Sequence, residues 1–472
     1  MKKILIKDGT LVTASETVKN DLLIEGEKIS AIGKLNVPDA EVIEANGLLI
    51  MPGGLDPHVH LDLPMFDTVS SDDHYTGGKA AAFGGTTTVI DFIPQPDEGS
   101  FQITLDEWKQ KAEKASIDYG FHMNVTRMDK DVLKEIPSLA IEGITTLKMF
   151  TAYNGRLRLD DENMFRVMRV AAEHGMLPLV HCENGDVIEV LVEEALQAGH
   201  TEPVWHARTR PSWGAADSIL RTAMLAKQAE APVYIVHLNT RVGLDQVRYA
   251  RANGVKLMAE TCPPYLFFTE EHLARPDGAK WICSPPMRSE EDNRALWTGL
   301  EDGSIQTMGT DHCPFFYDGT TPIEYEGEKV AIPGKELGKD DFTKIPNGTP
   351  GVGDRMPVLW TSGVVSGRIS PNEFVALTST NAARIFGLYP RKGSLMPGAD
   401  ADIVVWNPCK KVEYGAAIAQ HRTDYNLYEG MELQGFPDMV FLRGNLIVEK
   451  QQWLGKRGMG QFLKRSPGAE VL

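Results

Sequence analysis

Eight short apolar runs recur along the central part of the chain, separated by polar stretches. Uninterrupted apolar runs of this length are typical of strands buried on both faces. Helical periodicity lies between most of them; in residues 161–174, for example, Met164, Val167, Met168 and Ala171 recur on one face. Eight such strand–helix units predict an α/β fold, a closed TIM-like (β/α)8 barrel. The predicted strands are residues 55–60, 86–92, 118–125, 145–150, 177–181, 233–237, 255–261 and 305–311.

The two ends of the chain have a different pattern of apolar and polar residues. Residues 4–47 alternate short β-type runs with Gly, Asn and Asp turns, and similar segments return at 401–406 and 439–448. We therefore expect both termini to meet in one discontinuous β-sandwich domain, made of residues 1–52 and 390–472. The barrel, residues 53–389, would be inserted into that domain.

Composition restricts the kind of partner and the compartment. The chain has 472 residues, of which 42% are hydrophobic, and a net charge of −17, which argues against binding nucleic acid or anionic membranes. The N-terminus turns polar after three apolar residues, which predicts neither a signal peptide nor a membrane span. Five cysteines without a C-x-x-C pair predict free thiols in a reducing compartment. We expect a cytoplasmic protein with a small-molecule partner.

Five of the apolar runs end in side chains that can bind a metal ion. The carboxyl ends of barrel strands meet at one face, so these side chains should converge there. Nitrogen and oxygen donors suit zinc, which we expect as two ions, and would also accept manganese or cobalt. The predicted ligands are His58 and His60, which point to the same side of their strand, together with Lys148, His181, His237 and Asp311.

Lys148 is the most informative of these residues. An ammonium group cannot bind a cation, but burial favours the neutral amine, and a neutral amine can add carbon dioxide. The resulting carbamate has two oxygens that can bridge two metal ions. The alternative is a lysine paired with a carboxylate such as Asp311. Asp311 could bind one ion with one oxygen and accept a proton with the other. Two ions about 3.5–4 Å apart would activate a water for hydrolysis.

The remaining polar residues near the predicted metal site have simpler interpretations. His122 and His312 are predicted to be structural or to orient a ligand, and Cys182 and Cys313 to be packing thiols. The Gly- and Pro-rich stretch 313–355 follows the eighth strand and is long enough to predict a functional loop near residues 347–348. Its part 319–339 could equally be a surface excursion.

Nine motifs give the chain a resemblance to the cyclic amidohydrolases, specifically the dihydropyrimidinase and D-hydantoinase branch. The resemblance runs essentially from end to end. The motifs are Pro52-Gly-Gly-Leu-Asp-Pro-His-Val-His60, Gly84-Gly-Thr-Thr-Thr88, Leu147-Lys-Met-Phe-Thr-Ala-Tyr153, His181-Cys-Glu-Asn-Gly185, Glu260-Thr-Cys-Pro263, Ser284-Pro-Pro-Met-Arg288, Gly309-Thr-Asp-His312, Ile345-Pro-Asn-Gly348 and Lys392-Gly-Ser-Leu395.

The resemblance implies a binuclear metal centre. In that family the residues matching His58, His60 and Asp311 hold one metal, and those matching His181 and His237 hold the other. A carboxylated lysine matching Lys148 bridges them. The family is commonly tetrameric, which implies a homotetramer here with the tail around residues 458–465 between subunits.

The resemblance also implies how the substrate is held. The tyrosine matching Tyr153 donates to the developing oxyanion, and main-chain groups of the residues matching Ser284 and Asn347 hold the ring amide or imide. The chain departs from the family in Gly351-Val-Gly-Asp-Arg355, in a longer loop between residues 316 and 339, and in Gly155, Arg156 and Leu157, where aromatic residues are common. A pocket with Leu157 on one wall, and Leu63 and Met65 opposite, should accept a large ring substituent.

Three alternatives differ from this prediction. Dihydroorotase typically has an arginine where this chain has Asp62, and allantoinase lacks the tyrosine that Tyr153 matches. Non-catalytic scaffold proteins related to dihydropyrimidinase lose metal ligands, whereas all six are present here. We therefore predict an enzyme that opens 5-monosubstituted hydantoins, dihydropyrimidines or both, giving N-carbamoyl amino acids.

Overall fold

The central part of the molecule is a barrel of eight parallel strands. The computed structural model describes residues 2–65, 67–129 and 131–468. The strands pair in chain order, and the first and last meet where Val59 bridges His312 and the His60 amide donates to the His312 carbonyl at 2.8 Å. All eight predicted strands are confirmed in the described residues. They are Gly54–Val59, Thr86–Ile93, Asp118–Asn124, Thr146–Phe150, Leu177–His181, Val233–Ile235, Leu257–Thr261 and Thr307–Met308.

Alternate residues of these strands pack into two separate clusters. Ile90, Leu179 and Tyr234 belong to one buried cluster, while Val89 and Val180 belong to the larger one. Successive side chains of a strand point to opposite faces, so a strand buried on both faces must be apolar throughout. This requirement explains the uninterrupted apolar runs in the sequence.

Helices alternate with the barrel strands. Residues Asp161–Glu173 illustrate their design: the Asp160 carboxylate caps the first turn by accepting from the Asn163 amide at 2.9 Å, and the predicted apolar face is buried. The other α-helices are Thr76–Phe83, Phe101–Lys111, Val132–Ile141, Gly185–Gln197, Val204–Arg208, Ser212–Gln228, Arg241–Ala252, Pro264–Phe267, Glu270–Leu273, Glu290–Glu301, Arg355–Leu359, Pro371–Val375, Asn381–Ile385 and Ala416–Ala419. Shorter 3₁₀ or wider π turns occupy Ala112–Lys114, Gly278–Trp281, Lys335–Gly338, Phe342–Lys344, Trp360–Val365 and Ala376–Thr380.

Both ends of the chain form one mixed sheet, as predicted. Leu49–Pro52 pairs antiparallel with Ile403–Glu413, so the two termini are hydrogen-bonded side by side. The sheet has its own apolar cluster, which includes Ile6, Ile24 and Ile403. Its nine strands in the described residues are Lys3–Val12, Thr17–Glu25, Lys28–Gly33, Glu41–Glu44, Leu49–Pro52, Ile403–Glu413, Glu432–Leu442, Asn445–Glu449 and Gln452–Trp453. Two small hairpins, Pro64–Met65 with Thr68–Val69 and Ile323–Tyr325 with Glu328–Val330, lie outside both sheets.

A buried ionic cluster joins the barrel to the terminal sheet. The Lys392 ammonium lies 2.6 Å from carboxylates of both Asp118, which begins the third barrel strand, and Asp402, which precedes a sheet strand. Asp400 lies 3.1 Å away. Although burial alone would lower the pKa of Lys392, these carboxylates hold it above its ordinary value. The cation therefore stays charged and fixes one domain against the other.

The C-terminal tail packs on the same barrel strand. Leu463 donates its amide to the Tyr119 carbonyl at 2.7 Å, and the Tyr119 amide donates to Gln461 at 3.0 Å. The predicted place of this tail between subunits stays a prediction.

All five cysteines are free thiols, and four of them are buried. None of the helices in the described ranges is long and apolar enough to cross a membrane.

Candidate active site

A cavity of about 290 Å³ opens where the carboxyl ends of the barrel strands meet. The residues predicted from the sequence to form the site all line this cavity, although they come from seven separate segments of the chain. They are His58, His60, Leu63, Met65, Lys148, Tyr153, Leu157, His181, His237, Ser284, Asp311 and Asn347. The volume suits one small ring with a substituent. What each residue does there stays a prediction.

One group of metal-competent atoms lies around Asp311. Its Oδ1 is 3.1 Å from Nε2 of His58 and 2.9 Å from Nε2 of His60. Burial alone would raise the pKa of Asp311, but the two imidazoles hold it well below its ordinary value. The Nδ1 atom of His60 is buried and has no hydrogen-bond partner among the described residues. An ionised carboxylate between two imidazoles is a donor set that fits a divalent cation.

A second group is formed by two histidines on neighbouring strands. Nδ1 of His181 lies 3.1 Å from Nε2 of His237, closer than two unprotonated nitrogens would rest without a shared proton or cation. Burial lowers the pKa of both imidazoles, which favours the neutral form that binds metals. The pair fits a second cation.

Lys148 lines the same cavity as the two groups and is only 2% exposed. Its Nζ is 4.9 Å from the ring centroid of Phe92 and 5.2 Å from that of Phe150. Within the described ranges no carboxylate lies within 4.0 Å of this nitrogen, so the alternative of a direct ion pair with Asp311 is not found. Burial lowers the pKa of Lys148 to about 8, which makes the neutral amine accessible. That is the form that can become a carbamate.

Two buried carboxylates that had no predicted role contact these histidines. Glu260 accepts from Nδ1 of His58 at 2.7 Å and from the His237 amide at 3.1 Å. Glu183 lies 2.9 Å from Nε2 of His181. Carboxylates of this kind fix the ring orientation of a ligating histidine. Glu260 lies inside the apolar strand Leu257–Thr261, so the sequence signal that indicated the predicted ligands could also have indicated Glu260.

Three of the predicted site residues have left-handed backbone conformations. The φ angles are 67° for Tyr153, 39° for His237 and 52° for Asp311. Such conformations cost roughly 1–2 kcal/mol for a residue with a side chain. They turn the end of each strand or loop toward the cavity, and strain of this kind concentrates at functional sites.

The two neighbouring histidines have structural contacts. His122 is held between the Thr146 hydroxyl at 2.6 Å and the Pro57 carbonyl at 2.9 Å. Nδ1 of His312 accepts from the amides of Gly351 at 3.0 Å and Val352 at 3.2 Å. These contacts agree with the structural roles expected from the sequence.

Tyr153 lines the cavity and belongs to the loop after the fourth barrel strand. Its ring centroid is 5.2 Å from that of His181. Burial holds the pKa of the phenol above its ordinary value, so the hydroxyl stays protonated and can donate. Arg156 and Leu157, in the same loop, donate their amides to the Tyr153 carbonyl at 3.1 and 3.0 Å.

A parallel barrel with such a donor set at its carboxyl face is typical of metal-dependent hydrolases. The amidohydrolase family model matches residues 49–447 of this chain. The chain belongs to the amidohydrolase family.

Known proteins place the chain more narrowly within that family. It is 42% identical over 467 residues to a D-hydantoinase of Geobacillus stearothermophilus, covering 98% of this chain and 96% of that protein. It is 39% identical to a D-phenylhydantoinase of Escherichia coli O9:H4, covering 98% of both. The crystal structure of the dihydropyrimidinase from Brevibacillus agri superposes with a TM-score of 0.95 and 43% identity over 99% of this chain and all of that one. The resemblance to the dihydropyrimidinase and D-hydantoinase branch is confirmed.

Proposed function

We propose that this enzyme hydrolyses the cyclic amide bond of 5-monosubstituted hydantoins, dihydropyrimidines or both, and releases N-carbamoyl amino acids. The observation that carries the proposal is the convergence of four histidines, Asp311 and the buried Lys148 in one small cavity. The names of the relatives, D-hydantoinase, D-phenylhydantoinase and dihydropyrimidinase, support the same substrate class.

We further propose two divalent metal ions at this centre, with zinc expected and manganese or cobalt also suited to the donors. One ion would be held by His58, His60 and Asp311. The other would be held by His181 and His237. N6-carboxylysine at Lys148 would bind both ions. When bound, such ions polarise the scissile carbonyl and acidify the attacking water. We also propose that the enzyme is a homotetramer and that it is located in the cytoplasm.

The chain's own groups would perform the remaining steps. Asp311 accepts the proton of the attacking water and delivers it to the ring nitrogen that leaves, because its ionised carboxylate lies at the reaction centre. Tyr153 donates from its phenol to the carbonyl oxygen as negative charge develops there. Main-chain groups of Ser284 and Asn347 pair with the alternating N–H and C=O groups of the ring.

A parallel substrate assay tests the proposal. Initial rates would be measured side by side on hydantoin, 5-phenylhydantoin, dihydrouracil and allantoin, with metal content determined on the same preparation. Turnover of the first three substrates, with allantoin poor, is the expected result. Preferential turnover of allantoin would replace the proposal by the allantoinase alternative, and a protein without metal or turnover would support the non-catalytic one.

Tyr153→Phe is expected to lower kcat/KM by roughly 10²-fold or more, as does removal of an oxyanion donor in other hydrolases. The ring and its packing against His181 are kept, so only the hydroxyl is lost. Asn347→Ala provides the comparison: because main-chain contact is proposed there, its effect should be milder. Steady-state kinetics on hydantoin checks both variants, and a larger effect for Asn347→Ala would remove Tyr153 from the oxyanion role.

Leu157→Phe tests the wall of the cavity. Leu157 lines it together with Leu63 and Met65. Added bulk should reduce kcat/KM for 5-phenylhydantoin more than for dihydrouracil, since only the first carries a large substituent. Leu454→Phe, at a half-exposed position in the terminal part of the chain, is the control. Equal changes for both substrates, or improvement of the larger one, would show that Leu157 does not contact the substituent.

A further inference from the structure

Lys335 is a buried cation outside the metal centre. It lies in the long loop after the eighth barrel strand and begins the turn Lys335–Gly338. It is 1% exposed, and no carboxylate lies within 4.0 Å of its ammonium group in the part of the chain that the structure describes. Burying a cation without a counter-ion is costly, so its position needs an explanation.

The ammonium group of Lys335 bridges two segments that border the cavity. Its Nζ donates to the carbonyl of Ile282 at 3.0 Å and to that of Pro346 at 3.0 Å. Ile282 lies two residues before Ser284, and Pro346 directly precedes Asn347, and both of these residues line the cavity. The Gly348 amide also donates to the Ile282 carbonyl at 3.0 Å, which joins the same two segments directly.

The backbone around Lys335 is itself fixed. The Lys335 amide donates to the Phe316 carbonyl at 2.7 Å. A Cβ on the preceding Gly334 would lie 2.0 Å from that carbonyl oxygen, so only glycine allows this approach. The loop is thus anchored at its base, and the lysine side chain extends from the anchor to the two segments.

We propose that Lys335 is a positioning residue for substrate binding: by holding the Ile282 and Pro346 carbonyls, it sets the spacing of the main-chain groups of Ser284 and Asn347 that bind the ring. The inference rests on the proposed function. An apolar residue would be cheaper to bury but would leave the Pro346 carbonyl without this donor and the two segments less firmly joined. Burial lowers the pKa of Lys335 to about 7, and both the charged and the neutral amine have enough N–H groups to donate to the two carbonyls.

The test compares Lys335→Met with Lys344→Met in the metal-loaded enzyme. Methionine keeps most of the length and loses the donors. Lys344 is a 70% exposed lysine in the same loop. Lys335→Met should raise KM for hydantoin about tenfold or more, with kcat changed less than about threefold and metal content unchanged. Hydrogen exchange at the Gly348 amide should also accelerate. Lys344→Met should behave as the wild type in all four measurements.

Lys335→Gln is the second variant, which can be tested even if Lys335→Met does not fold. Its side chain is shorter than that of lysine and keeps a neutral N–H donor. Its KM should lie between those of the wild type and Lys335→Met, or above the wild type if Lys335→Met does not fold. An unchanged KM in a folded variant, or a fall of kcat together with metal content, would overturn the inference. If the wild type itself hydrolyses no cyclic amide or imide, the proposed function fails, which is a separate outcome.

Discussion

Lys148→Ala is expected to lose both metal binding and hydrolysis. The side chain lines the same cavity as both groups of donors, and the two oxygens of its proposed carbamate could contact both proposed ions. Loss of an outer partner of a metal ligand already costs about 10–100-fold in affinity, so removal of a bridging ligand should cost more. Metal analysis after dialysis and initial rates on hydantoin give the two readouts.

Two additions sharpen this experiment. Lys344→Ala, at an exposed position, should retain metal and rate. Short carboxylic acids added to Lys148→Ala should restore part of the turnover, because a small carboxylate can occupy the space of the proposed carbamate. Full metal content and a normal rate in Lys148→Ala would refute the bridging role.

Asp311→Asn is expected to lower kcat by about 10²- to 10⁴-fold while leaving the fold intact. The amide has nearly the same shape, but it cannot accept a proton from the attacking water. The low pKa of Asp311, held down by His58 and His60, keeps this carboxylate ionised at neutral pH. The variant must be assayed at matched metal loading, because asparagine is also a weaker ligand.

The control for Asp311→Asn is Asp340→Asn, at an exposed position of the long loop. It should leave kcat unchanged, which separates local chemistry from the loss of one negative charge. If Asp311→Asn keeps a near wild-type kcat with full metal occupancy, another group must be the base.

The barrel was predictable because each strand carries its own signal in the sequence. Strands buried on both faces must be apolar, and eight of them in succession leave few alternatives. The strand ends were less predictable. Residues 233–237 and 305–311 were predicted as strands, but the regular strands are Val233–Ile235 and Thr307–Met308. His237 and Asp311 leave the ladder in left-handed conformations, which hydrophobicity cannot reveal.

The candidate site was predictable where a polar group ends an apolar run. This signal indicated all six proposed metal ligands, which the structure brings to one cavity. It did not indicate Tyr153, which lies in a loop and came only from the family resemblance. Lys335 was also missed, because a lysine in a Gly- and Pro-rich stretch is usually solvated, and its burial depends on contacts with distant segments.

The pairing of Leu49–Pro52 with Ile403–Glu413 has a consequence for biosynthesis. The first of these strands leaves the ribosome about 350 residues before its partner. Until then its hydrogen-bonding edge lacks that neighbour, and such edges are where chains associate wrongly. The barrel can pair its strands in order as they emerge, since each neighbour is the next along the chain. Completion of the terminal sheet, with its very distant contacts, should therefore come late and be the step that most needs protection by chaperones.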